Sequence, residues 1–122
     1  HILGLIGYQK KFDNIHYIYF NNLDDTPNQD IISQFKVCFE FIEKSLKSCG
    51  NILVHCHAGI SRSSTIVIAY LMFKYGMNLK EAIVFVKKQR PIINPNYGFI
   101  NQLISFNNLN LDERQLFFGS KL

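Results

Sequence analysis

Asn51-Ile52-Leu53-Val54-His55-Cys56-His57-Ala58-Gly59-Ile60-Ser61-Arg62-Ser63 runs from a short apolar segment through a small polar turn, and the almost wholly apolar stretch Ser64 to Phe73 follows it. The pattern predicts a buried strand over Ile52–Val54, a buried helix over Ser64–Phe73 and a tight connection between them. A helix N-terminus carries unpaired backbone N–H groups and partial positive charge, so a turn leading into it suits an anion. Gly59 lets that turn take φ > 0 and point successive amides inward. Arg62, expected at the first helical position, has a planar fork that matches two phosphate oxygens. A thiol beside such groups falls from roughly 8.5 to about 3.5–7.5 in pKa, which makes Cys56 a thiolate nucleophile at neutral pH.

Free cysteine is among the most buried residue types, and Cys38 and Cys49 read as core. Cys56 differs because one window joins a nucleophile, a glycine, an arginine and the hydroxyl of Ser63 to a strand-to-helix context. A metal reading of His55, Cys56 and His57 fits poorly. Neighbours on a strand face opposite ways, and zinc ligands come with spacers.

The segment His55-Cys56-His57-Ala58-Gly59-Ile60-Ser61-Arg62-Ser63 resembles the H-C-x-x-G-x-x-R-S signature of cysteine-dependent protein phosphatases. Ala58 to Ser63, together with Ile68-Ala69-Tyr70-Leu71-Met72, resembles the dual-specificity branch, and the resemblance runs from about Ile2 to Phe106. It implies an α/β fold with a mostly parallel central sheet flanked by helices. In that fold a hairpin and a helix precede the strand expected at His1–Ile6; their absence from this chain reads as a fragment or a trimmed start. The resemblance also assigns roles. Cys56 is the nucleophile, and Arg62 with His57, Ala58, Gly59, Ile60 and Ser61 holds the phosphate. Ser63 helps the thiolate leave, and His55 orients the loop. Asp25 in Leu23-Asp24-Asp25-Thr26-Pro27 aligns with the general acid by its distance to Phe35, with Asp24 as the alternative. Without the cysteine motif, both aspartates would read as solvating a turn. No metal or other cofactor is expected.

The implied activity is hydrolysis of phosphotyrosine, phosphoserine and phosphothreonine on proteins through a cysteinyl-phosphate intermediate. Tyrosine-specific relatives build a deep pocket from loops this chain lacks, which favours a shallow site. Phosphoinositide relatives place lysines in the loop where His57, Ala58 and Ile60 stand here. Inositol phosphates and RNA 5′-phosphates remain alternative substrates, and a non-catalytic phosphoprotein-binding module is the alternative from another class.

The 122 residues, 48% hydrophobic, suffice for one domain over 1–122, with 109–122 as a C-terminal extension. No apolar run reaches the roughly 18 residues needed to cross a bilayer, so no membrane partner is expected. The net charge of +4 suits anionic substrates. Its Lys and Arg residues are interleaved with acids, so no nucleic-acid partner is expected. Three cysteines without a pairing pattern suit a reducing compartment, hence an intracellular location, cytoplasmic or nuclear. Oligomeric state is not legible.

Outward from the motif, Ile15–Phe20 predicts a second buried strand and Asn21–Gln29 a polar loop. Ile31, Ile32, Phe35, Cys38, Phe39, Ile42 and Leu46 recur at helical spacing behind Asp30 as N-cap, with Gly50 ending the helix. Gly76 closes the central helix, and Asn78 with Glu81 predicts a capping box for a helix to about Arg90, stopped by Pro91. A last helix is expected from Asn94-Pro95, carrying Tyr97, Phe99, Ile100, Leu103, Ile104 and Phe106. Ile93-Asn94-Pro95-Asn96 resembles the family's I-x-P-N turn, which lies near the active-site loop. Ser120-Lys121-Leu122 spells a peroxisomal address if it is a true C-terminus.

Overall fold

The computed structural model describes residues 1–4, 15–20, 23–48, 50–57, 60–109 and 113. Expectations that fall on Leu5–Gly7, Cys49, Ala58, Gly59 and the terminal tripeptide lie outside these residues.

Among the described residues three short strands, β1 (Ile2–Gly4), β2 (Tyr17–Tyr19) and β3 (Leu53–His55), form a parallel sheet in the order β2-β1-β3. Leu3 pairs with Ile18 on one side and Val54 on the other, and is wholly buried between them. Strand β3 sits one residue later than expected, so His55 belongs to the strand and Cys56 is the first residue beyond it. β2 is half-buried rather than buried, with Tyr17 and Tyr19 stacked on the same side at 5.7 Å.

Among the described residues four α-helices accompany the sheet: α1 (Phe35–Lys47), α2 (Arg62–Tyr75), α3 (Leu79–Gln89) and α4 (Tyr97–Asn107). α2 is the central element. Ile66, Ile68, Ala69, Met72 and Phe73 are all buried, and the helix packs on α1, α3 and α4. Gly76 ends it with φ 68°, a left-handed turn that glycine adopts without a Cβ penalty. An aromatic cluster of Phe35, Phe39, Phe73 and Phe106 joins α1, α2 and α4, with Phe39 and Phe73 stacked at 5.0 Å. Each such ring removed from water is worth about 1.5–3 kcal/mol before entropy. The same seam holds an ion pair: Glu43 of α1, 5% exposed, accepts from the Tyr70 hydroxyl at 2.9 Å and meets Lys74 Nζ at 3.0 Å.

Several boundaries differ from the sequence reading. Asp30 is not the N-cap of α1: a 3₁₀ turn, Ile32–Gln34, with Ile31 at its N-cap position, precedes the helix, and Asp30 Oδ1 accepts from Ser33 N–H within it at 3.2 Å. The α1 N-cap position, Gln34, makes no side-chain capping bond. Leu46, in the last turn of α1, is 46% exposed and not core. α4 starts after Asn96, leaving Pro95 outside the helix, and Tyr97 and Ile104 face outward while Phe99, Leu103 and Phe106 fill the core. The capping box is present: Asn78 accepts from Glu81 N–H, and Glu81 accepts from Asn78 N–H.

Candidate active site

Cys56 follows the buried centre of the sheet and is itself 9% exposed. Its Sγ lies 3.3 Å from Oγ of Ser63, the second residue of α2. The turn into α2 is tied down by hydroxyls. Ser64 Oγ reaches the carbonyls of Ile60 at 2.6 Å and Ser61 at 2.9 Å, and Thr65 Oγ1 donates to Ser61 O at 2.8 Å. Ser61, the N-cap of α2, makes no capping bond to its own helix. Its hydroxyl accepts instead from the backbone N–H of Asn96 at 2.9 Å, while Asn94 N–H donates to Ile60 O at 2.7 Å. The loop is thereby fastened to the turn between α3 and α4.

Arg62 opens α2 and reaches across to the Asp24-Asp25 loop, where Nη1 donates to Leu23 O at 3.1 Å. Its Nε is buried and has no hydrogen-bond partner among the described residues. A buried guanidinium donor left unsatisfied costs free energy. A bound oxyanion would supply the missing acceptor. His57 is exposed, and His55 is half-buried with its ring edge-on to Tyr19 at 6.2 Å.

Asp25 Oδ1 accepts from Asn96 Nδ2 at 2.8 Å. The loop that carries it is held from α4 at two further points. Gln102 accepts from the N–H groups of Ile31 and Ile32 at 2.8 and 2.9 Å and donates to Gln29 O at 2.8 Å. Gly98 lets the Pro27 backbone come so close that a Cβ there would collide with it. Asp24 faces a different partner: its backbone N–H donates to Gln29 Oε1 at 3.0 Å. Three sets of bonds thus meet around the start of α2: Cys56 with Ser63, Arg62 with Leu23 O, and Ser61 with Asn96 and through it with the Asp25 carboxylate, whereas the bond from Asp24 runs from its backbone N–H to Gln29.

A cavity of about 410 Å³ opens beside Cys56 between β3, α2 and α3, with Val54, Ser63, Val67, Val86 and Arg90 among its walls. Arg62 and Asp25 do not line it, and its walls are mainly apolar, so we do not assign it to the phosphate. Among the described residues, no group of His, Cys, Asp and Glu side chains is arranged to hold a metal ion. No helix of the described chain is long and apolar enough to cross a membrane.

The sequence reading missed the work of Ser64, Thr65, Gln102 and the Asn96 side chain. A run of three hydroxyl residues at a helix start is a visible signal for the first two. The carboxamides act over 70 or more residues of separation, which no local pattern shows.

The family model for the dual-specificity phosphatase catalytic domain matches residues 5–109. This chain belongs to that family. The phosphatase domain is 48% identical over 84 residues to dual specificity protein phosphatase 4 of Gallus gallus, covering 69% of this chain and 22% of that protein. It is 39% identical over 104 residues to a probable rhodanese domain-containing dual specificity protein phosphatase of Dictyostelium discoideum, covering 84% and 22%. Among solved structures it superposes on DUSP15 with a TM-score of 0.88 at 37% identity, covering 97% of this chain and 76% of that one. The human tyrosine phosphatase-like serine/threonine/tyrosine-interacting protein gives 0.79 at 36% identity, with 86% and 74% covered. The phosphatase domain thus spans 22% of the length of the first two relatives. The α/β architecture expected from the motif is the one these structures share with it.

Proposed function

We propose that residues 1–122 form a single catalytic domain that hydrolyses phosphate monoesters of tyrosine, serine and threonine in proteins. The observation that carries this reading is the 3.3 Å contact between Cys56 Sγ and Ser63 Oγ at the N-terminal end of α2. It puts a sulfur nucleophile, a hydroxyl donor and a helix N-terminus at one point.

In the first step the Cys56 thiolate forms a sulfur–phosphorus bond as the bond from phosphorus to the ester oxygen breaks. Asp25 gives its proton to that leaving oxygen. Arg62 and the backbone of the loop hold the equatorial oxygens, where charge accumulates in the transition state. In the second step water attacks phosphorus and gives a proton to the Asp25 carboxylate, and the sulfur–phosphorus bond breaks. The Ser63 hydroxyl donates to the departing sulfur. Phosphate leaves, and the thiolate and the acid are restored.

A nucleophile that must stay a thiol or thiolate supports the proposal of an intracellular setting. Release of phosphate from phosphotyrosyl, phosphoseryl and phosphothreonyl peptides, compared with inositol phosphates and an RNA 5′-phosphate, tests the substrate class. Turnover of the peptides, lost in Cys56→Ser, is the expected result. Binding of phosphopeptide without turnover would overturn it in favour of a non-catalytic module.

A further inference from the structure

We infer that Asn96 is the positioning residue of the general acid, and that it locks the Asp25 loop to the phosphate loop. The inference rests on the reading of Asp25 as the acid.

Three bonds leave this one residue in three directions. Nδ2 donates to Asp25 Oδ1 at 2.8 Å, Oδ1 accepts from Phe99 N–H at 2.9 Å, and the backbone N–H donates to Ser61 Oγ at 2.9 Å. The carboxamide cannot flip without losing two of them, since its oxygen is committed to capping α4. The amide therefore presents its N–H to the aspartate in a fixed direction. A carboxyl group has two oxygens, and a donor on Oδ1 leaves Oδ2 as the atom that bears the proton. Asn96 thus selects which oxygen delivers the proton and fixes its direction. An exposed carboxyl on a loop otherwise samples several rotamers, and misplacement by an ångström costs catalysis steeply.

The arrangement also sets a distance. Asp25 and Ser61 lie on separate loops, 36 residues apart in sequence, and both hydrogen-bond to Asn96. Asn96 therefore ties the acid directly to the phosphate loop, beside the Arg62 Nη1–Leu23 O bond that joins the same two loops. Gly98 and Gln102, two and six residues further along the chain, hold the remainder of the acid loop against the same helix.

The test separates positioning from mere support. Asn96→Ser keeps a helix-capping oxygen but is too short to reach Asp25, and Asn96→Asp keeps the cap while replacing the donor by a second carboxylate. Both are compared with Asp25→Asn on a series of aryl phosphates from p-nitrophenyl phosphate to phenyl phosphate. A general acid matters most when the leaving oxygen is basic. We expect the ratio of kcat/KM for p-nitrophenyl over phenyl phosphate to rise about tenfold in both Asn96 variants, in the same direction as in Asp25→Asn and by a smaller factor. A purely structural role would lower all substrates equally and leave the ratio unchanged. An unchanged ratio in the Asn96 variants with a raised one in Asp25→Asn overturns the inference alone. An unchanged ratio in Asp25→Asn overturns the assignment of the acid, and the inference with it.

Discussion

Cys56 Sγ and Ser63 Oγ stand 3.3 Å apart across the mouth of α2, the hydroxyl on the helix and the sulfur at the end of the strand. A hydroxyl so placed donates to sulfur whenever the sulfur carries charge, which happens at the start of the first step and the end of the second. Ser63→Ala removes that donor. We expect kcat to fall about 10²-fold, as for loss of one preorganised donor. The phosphoenzyme should accumulate, seen as a burst of p-nitrophenol followed by slow turnover. A steady rate near wild type without a burst would show that the hydroxyl is idle.

Arg62 Nη1 bonds to Leu23 O beside the acid loop, and its buried Nε, which has no acceptor among the described residues, is left to meet a substrate oxygen. Lysine keeps the charge but cannot satisfy both. Arg62→Lys should therefore lose about 10²-fold or more in kcat/KM. Phosphate inhibition constants measured alongside should weaken, which they would not do if charge alone mattered.

Gly98 lies against the backbone of Pro27, and a methyl group there has no room. Gly98→Ala should push the Asp25 loop away from α4. Overpacking of this kind costs about 1–3 kcal/mol. Urea unfolding should show the loss, and kcat on phenyl phosphate should drop more than the stability change explains at temperatures where the protein stays folded.

Burial pushes the Glu43 carboxyl up, but the hydrogen bonds from Lys74 and Tyr70 and the Lys74 charge together hold it below its ordinary value. A carboxyl lowered by folding stabilises the native state above its unfolded pKa and ceases to do so as pH falls through the folded one. The urea midpoint should therefore decline as pH drops below about 4.5. In Glu43→Ala this part of the decline should be missing. The variant should also be about 2 kcal/mol less stable at pH 7, because the Tyr70 hydroxyl loses its acceptor.

Cys38 is wholly buried, and burial pushes its thiol up to about 12. At pH 8 roughly one molecule in 10⁴ would carry the thiolate. Iodoacetamide should label Cys56 in the folded protein and reach Cys38 only after denaturation, as read by peptide mass spectrometry. Equal labelling of both would mean that α1 does not seal the core around it.

The strand, turn and helix around residues 51–75 were legible because the signal is local and doubled: an apolar pattern on both sides and a chemically specific turn between. The capping box at Asn78 and Glu81 and the terminal Gly76 were legible for the same reason. Helix edges were less so. Leu46 and Ile104 sit at helical spacing with core residues yet face solvent, because periodicity marks a stripe without saying how far the neighbouring helix extends along it. Pro95 fits a first helical turn by propensity, but Asn96 caps more strongly with its side chain on Phe99 N–H, and the helix starts there. Among site residues, those in the signature were visible from the signature. Asp25 needed alignment to Phe35, and its anchor to Asn96 needed the fold.

One bond at the far end of the molecule bears on how the site fails. Leu79 N–H, at the start of α3, donates to Asn107 Oδ1, at the end of α4, at 2.7 Å. This bond closes residues 79–107 into a hairpin, whose turn Asn94 and Asn96 fasten to Ile60 and Ser61. Such a unit opens as a whole. Its slowest amides should exchange with deuterium at a common rate, and warming should switch activity off in a single cooperative event rather than wear it away.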